Sequence, residues 1–150
     1  MTVKMTKHLT KLIGAIHFLV LAFLMTLSSP LAAQDLREWF LKGSEYYYGV
    51  GLGGAVTQDY AEAAKWYRLA AEQGYPNAQF ALGFLHEVGH GVLQDKVMSH
   101  MWFNIASANG DELAGDSRDE TAKKMTRADI SKAQAMAREC MSSGYQKCGY

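Results

Sequence analysis

A 36-residue internal period constrains this chain more than any other feature. Shifted by 36, Gly53, Val56, Gln58, Asp59, Trp66, Ala70, Gly74 and Ala78 fall on Gly89, Val92, Gln94, Asp95, Trp102, Ala106, Gly110 and Ala114. Those are eight identities in the 26 positions from Gly53 to Ala78, and Tyr67 on Phe103 and Leu69 on Ile105 fill in the pattern. Periods of this length belong to repeat architectures, in which one unit cannot bury its apolar face alone and must stack on the next.

Each unit reads as helix, glycine-rich turn, helix. Asp59 can cap a helix with Glu62 three residues later, and AEAAKWYRLAAEQ then runs to Gly74, a residue suited to a left-handed C′ position. Pro76 fits the first turn of the following helix, AQFALGFLHEV, because its missing N–H has no partner there anyway. Asp95 opens VMSHMWFNIASAN, which stops at Gly110. Trp66, Tyr67, Trp102 and Phe103 recur with the fold and so are expected in the core. Beyond Ala114 the period fades into a polar-faced helix over 111–125, and Thr126 with Asp129 can cap a last helix, ADISKAQAMAREC. The fold expected is all-α: a short solenoid of antiparallel helix pairs with clear repeats at 42–77 and 78–113. Segments 35–48 and 114–141 would serve as capping helices, because about three units are needed for stability.

The stretches GGAVTQDYAEAAKWYRLAAEQGYPNAQFALG and GHGVLQDKVMSHMWFNIASANGDELA resemble the Sel-one-like repeat, a relative of the tetratricopeptide repeat. Its Gly-x-Gly-Val turn, helix-opening Asp, Trp-Tyr pair and Ala-x-x-x-Leu-Gly match Gly89, Gly91, Val92, Asp95, Trp102, Phe103, Ala78, Leu82 and Gly83. Two departures stand in the first unit, where Tyr46-Tyr47 takes the Leu-Gly position and Ala55 that of the second turn glycine. The resemblance implies an adaptor that binds another protein, in envelope assembly, signalling, host interaction or neutralisation of a delivered toxin. It also leaves open an exported hydrolase of the β-lactamase kind. Members described so carry a cysteine pair in each repeat, whereas both cysteines here are in the tail.

Lys4, Lys7 and Lys11 are the only charges before Asp35, and Leu12–Leu27 is almost wholly apolar before Ser28, Ser29 and Pro30. A basic start, a short apolar run and the small residues Ala32 and Ala33 make a signal peptide cleaved after Ala33. The competing reading is a retained anchor, but sixteen residues fall short of the roughly 20 that span a bilayer. Export places residues 34–150 in a periplasmic or secreted setting, with no stable membrane insertion once the leader is removed. Those residues hold twelve basic against fifteen acidic groups, with no basic stripe, so nucleic acid is excluded as a partner. In an oxidising compartment Cys140 and Cys148, eight apart, read as a disulfide tying residues 142–150 to the last helix, with two free thiols as the alternative.

The sharpest catalytic pattern is His86-Glu87-Val88-Gly89-His90, a literal H-E-x-x-H. On one helix such histidines share a face and bind zinc while the glutamate activates water. The repeat register argues otherwise, because Gly89 and Gly91 fall in the turn and His90 would then leave the helix. His86 and His90 are thus weak metal candidates, and neither a catalytic residue nor a cofactor is assigned. His100 has no evident partner and reads as surface or packing. The concave contact surface is expected to use Gln79, His86 and Glu87. Tyr46 and Tyr47, beside Trp39 and Phe40, are either the apolar face of a capping helix or an exposed aromatic strip for a protein partner.

Overall fold

The computed structural model describes residues 30–51 and 53–149, the side chains of 30–34 excepted. The leader read at 1–33 lies almost wholly outside the described residues. Among the described residues six helices follow in order: α1 Pro30–Tyr48, α2 Tyr60–Ala71, α3 Pro76–Val88, α4 Lys96–Ala108, α5 Ala114–Ala122 and α6 Arg127–Ser142. A two-residue hairpin, β1 Val50–Gly51 against β2 Gly54–Ala55, lies between α1 and α2 with Val50 opposite Ala55. The all-α helix-pair solenoid is thereby the observed architecture.

The caps stand where the sequence puts them. Asp59 accepts from the backbone N–H groups of Ala61 and Glu62, Asp95 from those of Val97 and Met98, and Thr126 from that of Asp129. Pro76 opens α3, and Gly89 ends it in a left-handed conformation at φ +79°. The α2–α3 and α4–α5 turns share one scheme, Tyr75 N donating to Ala70 O at 3.1 Å and Asp111 N to Ala106 O at 3.0 Å. Ala63, Ala70, Ala78, Leu82, Met101, Ile105 and Ala137 are fully enclosed between the helices. Trp102 is also fully buried, because α4 packs against α3, α5 and α6. Trp66, expected in the core alongside it, is only half-buried.

The first unit corrects the register read from the sequence. A Cβ added to Gly83 would lie 2.6 Å from the ring of Phe103, and one added to Gly43 would lie 2.6 Å from the ring of Tyr67. Gly43, rather than Tyr47, therefore does for α1 what Gly83 does for α3, and the shift upstream of the turn is 40. Backbone bonds agree: Asp59 N donates to Tyr46 O at 2.9 Å and Asp95 N to His86 O at 2.9 Å. The Gln58 amide caps Tyr47 O at 2.8 Å as the Gln94 amide caps Glu87 O at 2.7 Å. Gly49 at φ +69° matches Gly89 at +79°. The four extra residues of the first turn are taken up in the hairpin, so Tyr46-Tyr47 replaces His86-Glu87 and leaves the Leu-Gly position to Lys42-Gly43.

At the other end Cys140 and Cys148 are joined in a disulfide. The loop it closes carries Tyr145 back over the array. The Tyr145 hydroxyl accepts from Asn109 Nδ2 at 2.9 Å, and that same amide donates to Gln79 Oε1 at 2.8 Å. The Tyr145 ring also covers Gly74, where an added Cβ would meet it at 3.2 Å. One tail thus touches the turns of two earlier helix pairs.

Candidate functional site

An open groove of about 590 Å³ runs along the first helices of the pairs. Phe40, Ser44, Tyr47 and Tyr48 reach it from α1, at the i, i+4, i+7, i+8 spacing that aligns side chains on one helix face. Asn77, Phe80, Ala81 and Phe84 do the same from α3. Tyr67 from α2 lies between them, its hydroxyl donating to Ser44 Oγ at 3.1 Å, and Ser44 passes its own proton to Phe40 O at 3.0 Å. The floor is thus polar but satisfied, and what faces solvent is aromatic and aliphatic. Tyr48 is 69% exposed, Phe84 39% and Leu113, from the α4–α5 turn, 65%. Large apolar side chains gathered on a concave surface at this exposure mark an interaction site.

Tyr47 is the hub of the groove's N-terminal end. Its ring packs edge-on to Tyr48 at 4.9 Å and against Tyr60 at 5.1 Å and Phe84 at 6.3 Å. Its hydroxyl lies 3.3 Å from His90 Nδ1, and burial raises its pKa. His90 stacks on Tyr60 at 4.3 Å, brought there by Gly91, whose Cα has no room for a Cβ above Tyr60 O.

Other residues singled out from the sequence fall elsewhere. Gln79 and His86 are corrections, because both are buried and present nothing to a partner. Gln79 is fully enclosed and spends its amide on Ala71 O at 3.0 Å and on Asn109. His86 donates from Nδ1 to Leu93 O at 3.2 Å, since a carbonyl can only accept. Its Nε2 is left as an unpartnered buried lone pair. Burial lowers its pKa against the opposing Leu93 bond, which favours the neutral imidazole. Glu87 is a joint: Oε1 takes Lys124 Nζ at 2.8 Å, and Oε2 takes Thr121 Oγ1 at 3.2 Å and Ser99 Oγ at 3.3 Å. Partial burial works to raise that carboxyl, but Lys124 and the two hydroxyls outweigh it and hold it below the ordinary range. Tyr46 lies under Lys42 at 5.5 Å, away from the groove lining.

The H-E-x-x-H pattern is not assembled. α3 ends at Val88, so His86 is buried against the Leu93 turn while His90 lies on Tyr60. Among the described residues no group of three or more His, Cys, Asp or Glu is placed to hold a metal. His100 is buried, at 2% exposure, with Nδ1 unpartnered, and packing is its role. Phe80, Phe84 and Leu113, the main apolar lining, were not picked out by sequence reasoning. Their signal was the helical spacing of Phe80 and Phe84 on the face of α3 opposite Gln79 and His86.

The family model described as Sel1 repeat matches residues 40–75 and 76–111. Chitin synthase regulatory factor 3 of Schizosaccharomyces pombe is 35% identical over 79 residues, 53% of this chain and 8% of that protein. Chitin synthase regulator SKT5 of Saccharomyces cerevisiae is 33% identical over 84 residues, covering 56% of this chain and 11% of its own length. Among solved structures, c5321, a protective antigen present in uropathogenic Escherichia coli strains and displaying an SLR fold, superposes with a TM-score of 0.66. It is 31% identical, and the match covers 76% of this chain and 25% of that one. The chain therefore spans only a small part of the relatives that it matches.

Proposed function

Residues 40–111 are two Sel1 repeats, and on that premise we propose that the protein is a non-catalytic adaptor that holds a partner protein in the groove between α1 and α3. Sel1-repeat proteins mediate protein–protein contacts, and the observation that carries the reading here is the exposed aromatic lining. Phe84 and Leu113 stand open to solvent although the neighbouring helix positions are fully enclosed. Aromatic anchors in a concave setting are the residues that dominate interface energetics. The two yeast relatives are named as regulators of chitin synthase, a role consistent with repeats that dock onto another protein.

We further infer that the adaptor works outside the reducing cytoplasm, because a buried structural disulfide persists in oxidising compartments. Fractionating an exporting host and sequencing the N-terminus of the recovered full chain tests that inference: envelope material that starts at Gln34 or is held by an uncleaved leader supports it, and an intact Met1 on protein found in the cytoplasm sinks it.

The groove reading is tested with Phe84→Ser. The side chain is partly exposed and touches Tyr47 only at the groove rim, so the helical circular dichroism should hold while the unfolding midpoint falls modestly. Capture of a partner from native envelope extract should fall by about tenfold or more, as for loss of an interface anchor. Capture that is indifferent to Phe84→Ser and to Leu113→Asp would place the binding surface elsewhere.

A further inference from the structure

The concave stripe changes chemistry from one helix pair to the next. Ala78 and Ala114 are each fully buried at the start of their helices, and Leu85 and Thr121 are buried one face-length later. Together with the matching turn bonds of Tyr75 and Asp111, this sets α5 in 36-residue register with α3. In that register Phe80 corresponds to Asp116, Phe84 to Glu120 and Asn77 to Leu113. The face that is aromatic on α3 is therefore carboxylate on α5, and both carboxylates are exposed. Leu113 is the apolar step between the two halves. Asp111, itself part of the groove lining, and Glu112 extend the acidic side into the turn.

The cations of α5 and of the turn that follows it are already engaged. Arg118 is engaged with Asp119 and reaches toward Asn104, and Lys124 is bound to Glu87. Lys123 pairs with Glu120 in solvent, an exposed i,i+3 contact of the kind that exchanges freely. The lining of the groove contains no cationic side chain. An acidic segment or a nucleic acid laid along this surface would meet a row of carboxylates, of which Asp111 is held by the backbone N–H groups of Leu113 and Ala114 and Glu120 by Lys123 in solvent. A basic one would be steered in, and aromatic faces beside it favour cations as well.

We propose that the groove takes a partner segment in which large apolar anchors adjoin a run of Lys or Arg, the anchors over Phe80, Phe84 and Tyr48 and the cations over Asp111, Asp116 and Glu120. This deepens the adaptor reading and rests on it.

The test uses fluorescent 12-residue peptides that share Trp and Leu anchors four residues apart. They differ in a flanking Lys-Lys-Arg or Glu-Glu-Asp, placed before or after the anchors. Anisotropy against the full chain should show the basic peptide binding about tenfold tighter in one orientation, with the gap closing as salt rises. Asp116→Asn combined with Glu120→Gln should shrink the gap to about twofold or less, since steering depends on those charges. Phe84→Ser should weaken every peptide. Equal affinity for both flanks, lost in Phe84→Ser, overturns the basic-segment inference and leaves the adaptor groove standing. Binding indifferent to Phe84→Ser overturns both, as does no binding of any peptide. A dimer in sedimentation equilibrium that Phe84→Ser dissolves would assign the groove to a second copy and overturn the proposal.

Discussion

Helices α1 and α3 occupy the same place in successive units, and comparing them separates what makes a repeat from what ends one. At the 40-residue shift Phe40 matches Phe80, Gly43 matches Gly83 and Gly49 matches Gly89. These are the groove wall, the point where the next helix's ring lies on the backbone, and the left-handed turn. Other positions diverge. Ala78, Leu82 and Leu85, all enclosed, correspond to Glu38, Lys42 and Glu45. The last two pair with each other at 3.0 Å, and Lys42 also covers the ring of Tyr46. A further helix pair stacked on that face of α1 would bury Glu38 together with the Lys42–Glu45 ion pair, whose desolvation is a heavy cost. The shared positions build the joint within a pair, and the divergent ones decide whether another pair can be added.

Exchanging the divergent residues breaks the comparison most severely. Leu82→Lys places the α1 residue in the closed interior of α3, at a fully buried position. The expected loss is more than about 4 kcal/mol, the range of an unpaired buried charge plus lost packing. Lys42→Leu should leave the urea midpoint nearly unchanged while raising the tendency to self-associate through α1. Equal effects of the two changes would show that α1 is as enclosed as α3.

The turns give the second contrast. Gly91 and Gly54 both have positive φ, at +70° and +128°. A Cβ on Gly91 would meet Tyr60 O, whereas one on Gly54 has open space around it. Gly91→Ala should cost about 3 kcal/mol, strain and backbone collision together, and Gly54→Ala nearer 1 kcal/mol for strain alone. Thermal unfolding separates them, and a cost for Gly54→Ala as large as for Gly91→Ala would mean that space is irrelevant and only φ counts.

Much of this was readable from residues. Asp59, Asp95 and Thr126 announce helix starts because capping chemistry is local, and the paired Trp, Ala and Gly positions announce stacking. The four-residue insertion escaped a fixed 36-residue shift, although Phe40, Gly43 and Gly49 repeat the spacing of Phe80, Gly83 and Gly89. Tyr47, one of the two tyrosines the sequence singles out, lines the groove, but Gln79 and His86 were expected on the surface because polar side chains are usually solvated. Their burial depends on backbone carbonyls, Ala71 O and Leu93 O, that come near only once the adjoining turns fold the chain back on α3. Phe80 and Phe84 were passed over for the opposite reason, since apolar residues on a repeat helix are usually core.

A third contrast sets the disulfide-closed tail against the open hairpin end. Cys148→Ser removes the closure that holds Tyr145 on Gly74 and Asn109. The chain-entropy argument gives a loss of about 2.5 kcal/mol for so short a loop. Hydrogen exchange should then rise in the α2–α3 and α4–α5 turns and stay unchanged in the hairpin at 50–55. Uniform acceleration would mean that the tail stabilises the fold without touching those turns in particular.

The smallest effect concerns acid and distinguishes the buried histidines from the open carboxylates around them. Burial lowers the pKa of His86 against the Leu93 bond, and burial with the nearby Arg118 lowers that of His100 against Asp119. Each has a buried ring nitrogen without a partner, so protonation would place a new N–H where nothing accepts it. A folded-state pKa below the ordinary histidine value of about 6.5 means that the unfolded chain takes up protons first as the pH falls. The stability these residues contribute is therefore complete above that value and drains away as the pH drops through it toward the folded-state pKa. His100→Gln, matched in size and without the titration, should flatten the slope of the urea midpoint between pH 7 and 5, whatever its effect at pH 7. Should the slope survive both His100→Gln and His86→Gln, the acid sensitivity belongs to carboxylates such as Glu87. That carboxyl is held low by Lys124, so its contribution is lost only at lower pH, and the pH at which the midpoint begins to fall tells the two apart.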